Sequence, residues 1–306
     1  MAFADASLTA LRVFREVAAR GTLTAAAAAL GYTQSAASRQ IAALERAAGA
    51  RLLERRHDGV HLTAAGRIVL RRAAAMLDEA DAAARELAGR AGEGGTVRLG
   101  WFASAGGALL PRALTLLRET HPEITVLTRE ATTPSLVRAL RAGTVDLALL
   151  SSAPPFRPPD AENPPIALEI LTERPLRVAV PAAHPLAARD FVDVADLRGQ
   201  AWIAGQSTGD EQLMGVWPGL GERPFVAHTA RDWLAKLHLV AAGLGMTTIP
   251  PSLAPAAPPG VRLLEVRGGP LELRRLLLAR LSEPSPAAAH LIVALRAAVS
   301  SLGAFP

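Results

Sequence analysis

Residues 21–41 read GTLTAAAAALGYTQSAASRQI, and this stretch decides the fold of the N-terminal quarter. Gly21 stops a preceding helix. Thr22 or Thr24 caps a short helix that ends at Leu30, and its run of alanines lets neighbouring helices pack close. Gly31-Tyr32 makes a turn. Thr33 then caps a third helix, Gln34 to Ala48, whose inward face is Ala37, Ile41, Leu44 and Ala48, and Gly49 ends it. A helix, a short glycine turn and a second helix with a polar leading end form the helix-turn-helix pattern.

Upstream, Leu8, Leu11, Val13, Phe14, Val17 and Ala18 fall at helical spacing and supply the first helix. Downstream, Leu52-Leu53-Glu54-Arg55-Arg56 and Val60-His61-Leu62 flank His57-Asp58-Gly59. An Asp-Gly pair between two short apolar stretches signals a hairpin, so the module is winged. Its expected limits are residues 1–62. The leading turns of the third helix offer Gln34, Ser35, Ser38 and Arg39 on the outer face. Gln suits adenine, Arg suits guanine, and Ser bonds phosphate or base. Singly, each is also ordinary capping or surface chemistry.

Charge favours the DNA reading. Residues 1–72 hold eleven arginines against five acids, a net of +6, while the remaining 234 residues sum to −1. A basic first quarter on a near-neutral body points to a polyanion partner for the first part only. Lys236 is the only lysine against 32 arginines, a bias that reads as base composition of the genome.

From Leu8 to Gly66 the chain resembles the LysR-type transcriptional regulators. The resemblance rests on Leu11, Phe14, Gly21-Thr22-Leu23, Ala25-Ala26, Leu30, the run Gln34 to Ile41, Leu44-Glu45, Gly49, Leu52 to Arg55, and Leu62 to Gly66. Leu23 and Leu53 stand where the family usually has Phe, and Thr22 where it usually has Ser. The resemblance implies that Gln34, Ser35, Ser38 and Arg39 face DNA. It places Arg55 in the wing, with Arg56 beside it.

Thr63 caps a helix expected to run to about Ala91. Leu70, Ala73, Leu77, Ala80, Ala84, Leu87 and Ala91 alternate in steps of three and four, the spacing of a coiled-coil seam. Leu70, Leu77, Ala84 and Leu87 are the candidate dimer contacts, and a helix packed on its own body is the alternative. The resemblance implies antiparallel pairing of two copies for an inverted-repeat site on double-stranded DNA, as a homodimer or homotetramer. Residues 63–95 form the expected linker helix and hinge.

From residue 96 the chain alternates strand and helix, which means an α/β domain with parallel strands. Prolines between 153 and 165 mark one crossing and Gly268-Gly269-Pro270 another. Two lobes are expected, one from 96–155 and 268–306, the other from 166–267. The resemblance extends to this body through Leu136 to Leu140, Gly143, Val145 to Ala148, Val240 to Gly245 and Ile249-Pro250. It implies a two-lobed, periplasmic-binding-protein-like effector domain. The fold class is therefore α/β with an all-α, winged N-terminal module.

In such a clamp a ligand sits at the carboxyl ends of strands near helix N-termini. The candidate effector residues are Phe102, Ser104, Thr132, Thr133, Ser207, Thr208 and Thr229; Phe102 either lines the pocket or fills core. These loops offer donors and no acid cluster, so the expected effector is a small molecule bearing a carboxylate, with a neutral ligand as the alternative. No cofactor or metal is expected: Cys is absent and the seven His show no ligand spacing. Ser104 in FASAG lacks the GxSxG elbow and no GxGxxG follows a strand, which disfavours an enzyme. A transport-type binding protein is disfavoured by the DNA module and by the lack of a secretory signal. A soluble cytoplasmic protein with no membrane partner is the expectation.

Overall fold

The computed structural model describes residues 3–56, 59–87, 95–205, 214–221, 223–281 and 283–302. The head comprises α1 (Leu8–Arg20), α2 (Leu23–Ala29), α3 (Gln34–Ala48) and a two-stranded wing, β1 (Leu53–Arg56) and β2 (Gly59–Leu62). Each helix start has its cap. Ser7 Oγ accepts from the amide of Ala10, Thr22 Oγ1 from Ala25 and Thr33 Oγ1 from Ala36. Gly21 and Gly49 end α1 and α3 in the left-handed region, at φ 74° and 63°, where a side chain would be strained. Leu11, Val13, Phe14, Val17, Ala26, Ala37, Ile41, Leu44 and Leu52 form one core.

The linker helix α4 spans Ala64–Leu87, and Thr63 Oγ1 accepts from Gly66 at its start. Its apolar stripe corrects the sequence expectation. Leu70 and Leu77 are 2% and 0% exposed and belong, with Ala73, to the core of the head, which also takes in Ala142 of the first lobe. The three-and-four spacing that suits a seam serves equally well to seat a helix on α1, and here the second use holds. The outward face of α4 instead carries Ile68 and Met76, both exposed. The side chains of Ala84 and Leu87 lie outside the described residues, as do residues 88–94 of the hinge.

The first lobe is built on β3 (Thr96–Trp101), α5 (Leu109–Thr120), β4 (Thr125–Glu130), α6 (Thr133–Arg141) and β5 (Leu147–Ser152). β3 pairs in parallel with both β4 and β5. Leu147 to Leu150 in β5 are all buried because helices cover both faces of the sheet. β6 (Ala167–Pro175) also belongs here, which moves the crossing later than residue 166. It is the edge strand of the five-stranded sheet and pairs antiparallel with a strand about 100 residues further on.

The second lobe contains β7 (Arg177–Pro181), β8 (Phe191–Asp193), β9 (Ala201–Ala204), β10 (Phe225–Thr229), α7 (Trp233–Ala241), β11 (Thr247–Ile249) and β12 (Val261–Arg267). Its four-stranded sheet, in the order β11-β7-β12-β8, is mixed, with β7 antiparallel to β11 and β12 and β8 parallel to β12, while β9 and β10 form a separate parallel pair. A parallel bridge, Trp202 to Met246, joins β9 to β11. The chain then returns to the first lobe through β13 (Leu273–Arg280), antiparallel to β5 and β6, and α8 (Pro286–Leu302), which packs against α5.

Candidate DNA and effector sites

The head presents its polar residues as a continuous surface. Gln34, Ser35 and Arg39 are exposed at the leading end of α3, and Ser38 is half-buried between them. Thr33 Oγ1 and Ser35 Oγ share a hydrogen bond of 3.1 Å. Arg39 makes no ion pair among the described residues. Its charge is therefore available to an external phosphate or guanine. Arg55 and Arg56 lie on β1 of the wing, and their side chains are outside the described residues.

Glu45 places the wing. Its Oε1 accepts from the amides of Leu52 at 2.8 Å and Leu53 at 3.2 Å, tying the end of α3 to the start of β1. The other strand is pinned where Val60 donates its amide to the Gly21 carbonyl at 2.8 Å. A Cβ on Gly59 would stand 2.8 Å from that same oxygen, and Gly59 has φ 129°, so only glycine fits. Thr63 adds a third tie, its amide donating to the Leu52 carbonyl at 3.0 Å. Glu45 carries no mark in the sequence beyond its place in the motif.

Of the effector candidates, Ser104 lies where the two lobes meet. The turn after β3, Ala103–Gly106, touches the turn after β11, Pro251–Ala256. Ser252 Oγ donates to Ser104 Oγ across this junction at 3.4 Å, and Ser104 is 5% exposed. The carboxyl ends of β3 and β11 therefore face one another, and the parallel neighbours β4, β5, β9 and β10 end on the same sides. Thr132, preceding α6, is exposed and donates through Oγ1 to Ser135 rather than capping the helix. Thr133 is half-buried. Thr229 is exposed at the end of β10.

Phe102 is half-buried against the first lobe's core, so it fills core at least in part. Its neighbour Trp101 has an indole Nε1–H that is buried without a hydrogen-bond partner, a donor left free at the end of β3. Ser207 and Thr208 fall outside the described residues. The sequence reading missed Ser252, the trans-lobe partner of Ser104, and the buried amine of Lys236. Among the described residues no group of three or more His, Asp or Glu could hold a metal ion, and no helix is long and apolar enough to cross a membrane.

A winged helix-turn-helix with a free basic recognition face, joined by a long helix to a two-lobed domain with a polar junction, defines a ligand-responsive DNA-binding regulator. Residues 8–67 match the bacterial regulatory helix-turn-helix protein, lysR family, and residues 90–300 match the LysR substrate binding domain. The chain belongs to the LysR family of transcriptional regulators, with a DNA-binding head and an effector-binding body. It is 32% identical over 305 residues to the uncharacterized HTH-type transcriptional regulator YnfL of Escherichia coli, covering 94% of this chain and 98% of that protein. It is 33% identical to a probable hydrogen peroxide-inducible genes activator of Mycobacterium avium, over 81% of this chain and 79% of that one. Among solved structures it is similar to CbnR, a LysR family transcriptional regulator, at 26% identity and a TM-score of 0.53, covering 94% of this chain and 99% of CbnR. Full-length BenM gives 25% identity and a TM-score of 0.54, covering 97% of this chain and 98% of BenM.

Proposed function

We propose that α3 reads a specific operator in the major groove and that a small carboxylic acid, bound between the lobes, changes how two or four copies engage it. The observation that carries the DNA half is the leading face of α3, where Gln34, Ser35 and Arg39 stand exposed on a helix whose own start is satisfied by Thr33. Side chains not needed for capping are free to bond base edges. A solved complex of full-length CbnR with its target DNA gives 25% identity to this chain and a TM-score of 0.51, which supports the same use of the head here.

The effector half rests on the junction around Ser104 and Ser252. A ligand that inserts there binds one lobe arrangement better than another, and that difference shifts the linked heads. The chain has no cysteine, so a thiol–disulfide switch is not the trigger, and the response comes from binding. We assign the protein a cytoplasmic role as a regulator rather than an enzyme, on the family it belongs to. Pairing of two copies on an inverted repeat would use the outward face of α4, Ile68 and Met76, in place of Leu70 and Leu77.

The test is fluorescence anisotropy with duplexes from the region upstream of the gene, for the wild type and Arg39→Ala. Arg39→Ala should weaken specific binding by about 1–3 kcal/mol and leave random-sequence binding nearly unchanged. Equal loss on both duplexes would reduce Arg39 to a phosphate contact.

A further inference from the structure

Lys236 is the only lysine of the chain, and it is 1% exposed, one turn into α7. Among the described residues nothing pairs with its ammonium: no carboxylate or carbonyl accepts from Nζ. Charged side chains are almost never buried unless paired. Among the described residues, the elements packed on α7 offer no counter-charge. Glu265 on β12 lies near Arg177 and Arg267, Arg262 lies near Asp190, and the Asp232 carboxylate caps α7 by accepting from Ala235 at 2.8 Å. Arg231 and His238 are exposed. Burial alone therefore acts on the amine, and it pushes the pKa down from the ordinary lysine value to about 8.

The surroundings give this amine a direction. Helical side chains lean toward the helix N-terminus, and Nζ reaches back to lie 4.6 Å from the centre of the Trp233 ring at the opening of α7. On its other side is Gly205, the residue after β9. A Cβ there would come within 3.4 Å of Nζ and 3.2 Å of Met214 Cβ, so the amine packs against bare backbone beneath Met214. Gly205 stands at the carboxyl end of β9, and β11, parallel to β9, ends in the turn that carries Ser252 toward Ser104. The amine thus lies on the junction side of the second lobe.

We propose that Lys236 is the anchor for the anionic group of the effector, a small carboxylic acid whose charged end pairs with Nζ beside Gly205 and whose apolar body lies against Trp233. This deepens the effector reading above and rests on it. It supplies what the hydroxyl candidates lack, a full positive charge in a site shielded from water. Charge-assisted hydrogen bonds are strongest in such surroundings.

The single lysine makes the test direct. Full-length protein grown on lysine labelled with ¹³C at Cε shows one lysine side-chain resonance, which is titrated alone and with acetate, benzoate or succinate, each set against its neutral amide. The expected midpoint without ligand is about 8. At least one acid should shift the resonance saturably and raise the midpoint, while its amide does neither. Lys236→Met should bind that acid about ten- to a hundredfold more weakly, and Lys236→Arg should recover part of the loss. A midpoint near the ordinary value of about 10.4, or a resonance untouched by every acid, overturns the anchor even if Lys236→Met fails to fold. An acid that alters DNA retention while the lysine resonance stays fixed removes the anchor and leaves the effector reading standing. An acid series that changes neither removes both.

Discussion

The two recognition surfaces proposed for this chain are built in opposite ways. On the head, Gln34, Ser35 and Arg39 are exposed, adjacent in sequence and carried by one capped helix. At the proposed effector site, Ser104, Lys236 and the Trp101 indole N–H are buried and come from segments far apart in the chain. The difference follows from the ligands. A polyanion is met by mobile surface cations in water, where released counterions supply much of the affinity. A small acid offers few contacts, so each must be strong, and strength comes from a dry site with groups already in place.

The largest expected effect tests whether the head is an independent scaffold. Leu77→Asp places a charge in its core and should cost more than about 4 kcal/mol, unfolding the head. Acid binding by the body should survive, as calorimetry would show. A folded head with only a changed oligomeric state would return Leu77 to a dimer seam. Next in size is the response to salt. Between 50 and 200 mM, DNA affinity should fall on the order of a thousandfold, while affinity for a carboxylate at the shielded junction changes only a few-fold. Equal salt slopes would erase the contrast between an open and a buried site.

Glu45→Ala comes third. It leaves the Leu52 and Leu53 amides without their acceptor and should cost about 1–3 kcal/mol of head stability. DNA affinity should drop with the loosened wing, without any change in acid binding. A variant with unchanged stability and DNA affinity would show that the wing is held by other contacts.

The smallest effect is a slope. The folded pKa of Lys236 lies below its unfolded value, so between about pH 8 and 10.5 the unfolded chain holds more protons. Stability should therefore rise with pH through that window, and on the way down be lost as the unfolded chain's lysine protonates, levelling off below about pH 8 where the buried amine protonates too. Lys236→Met should flatten this component in denaturant titrations at several pH values. An identical pH slope in wild type and variant would show that the amine is not strained by burial.

The same contrast explains what was legible in the sequence. Thr33, Gln34 to Arg39 and Gly49 sit in one short run, so cap, recognition face and stop are read directly. Local spacing also placed α8 and the parallel β3–β5 core. The stripe Leu70, Ala73, Leu77 was legible as apolar and helical, but periodicity does not say which surface covers it, and its own head does. β6 was misplaced because its partner β13 lies about 100 residues away and pairing across that distance leaves no local pattern. Ser104 and Ser252 are 148 residues apart, so each reads alone as an ordinary turn serine. Lys236 shows in the sequence as a composition oddity, because nothing local tells a buried amine from a solvated one.

The decisive measurement is a footprint on the DNA upstream of the gene, made with wild type, Arg39→Ala and Lys236→Met, with and without the acid that shifts the lysine resonance. Arg39→Ala should lose the footprint while still binding the acid. Lys236→Met should keep the footprint and lose its response to the acid. A footprint that survives Arg39→Ala unchanged, or an acid response that survives Lys236→Met, would contradict a chain in which α3 reads DNA and the buried amine reads the effector.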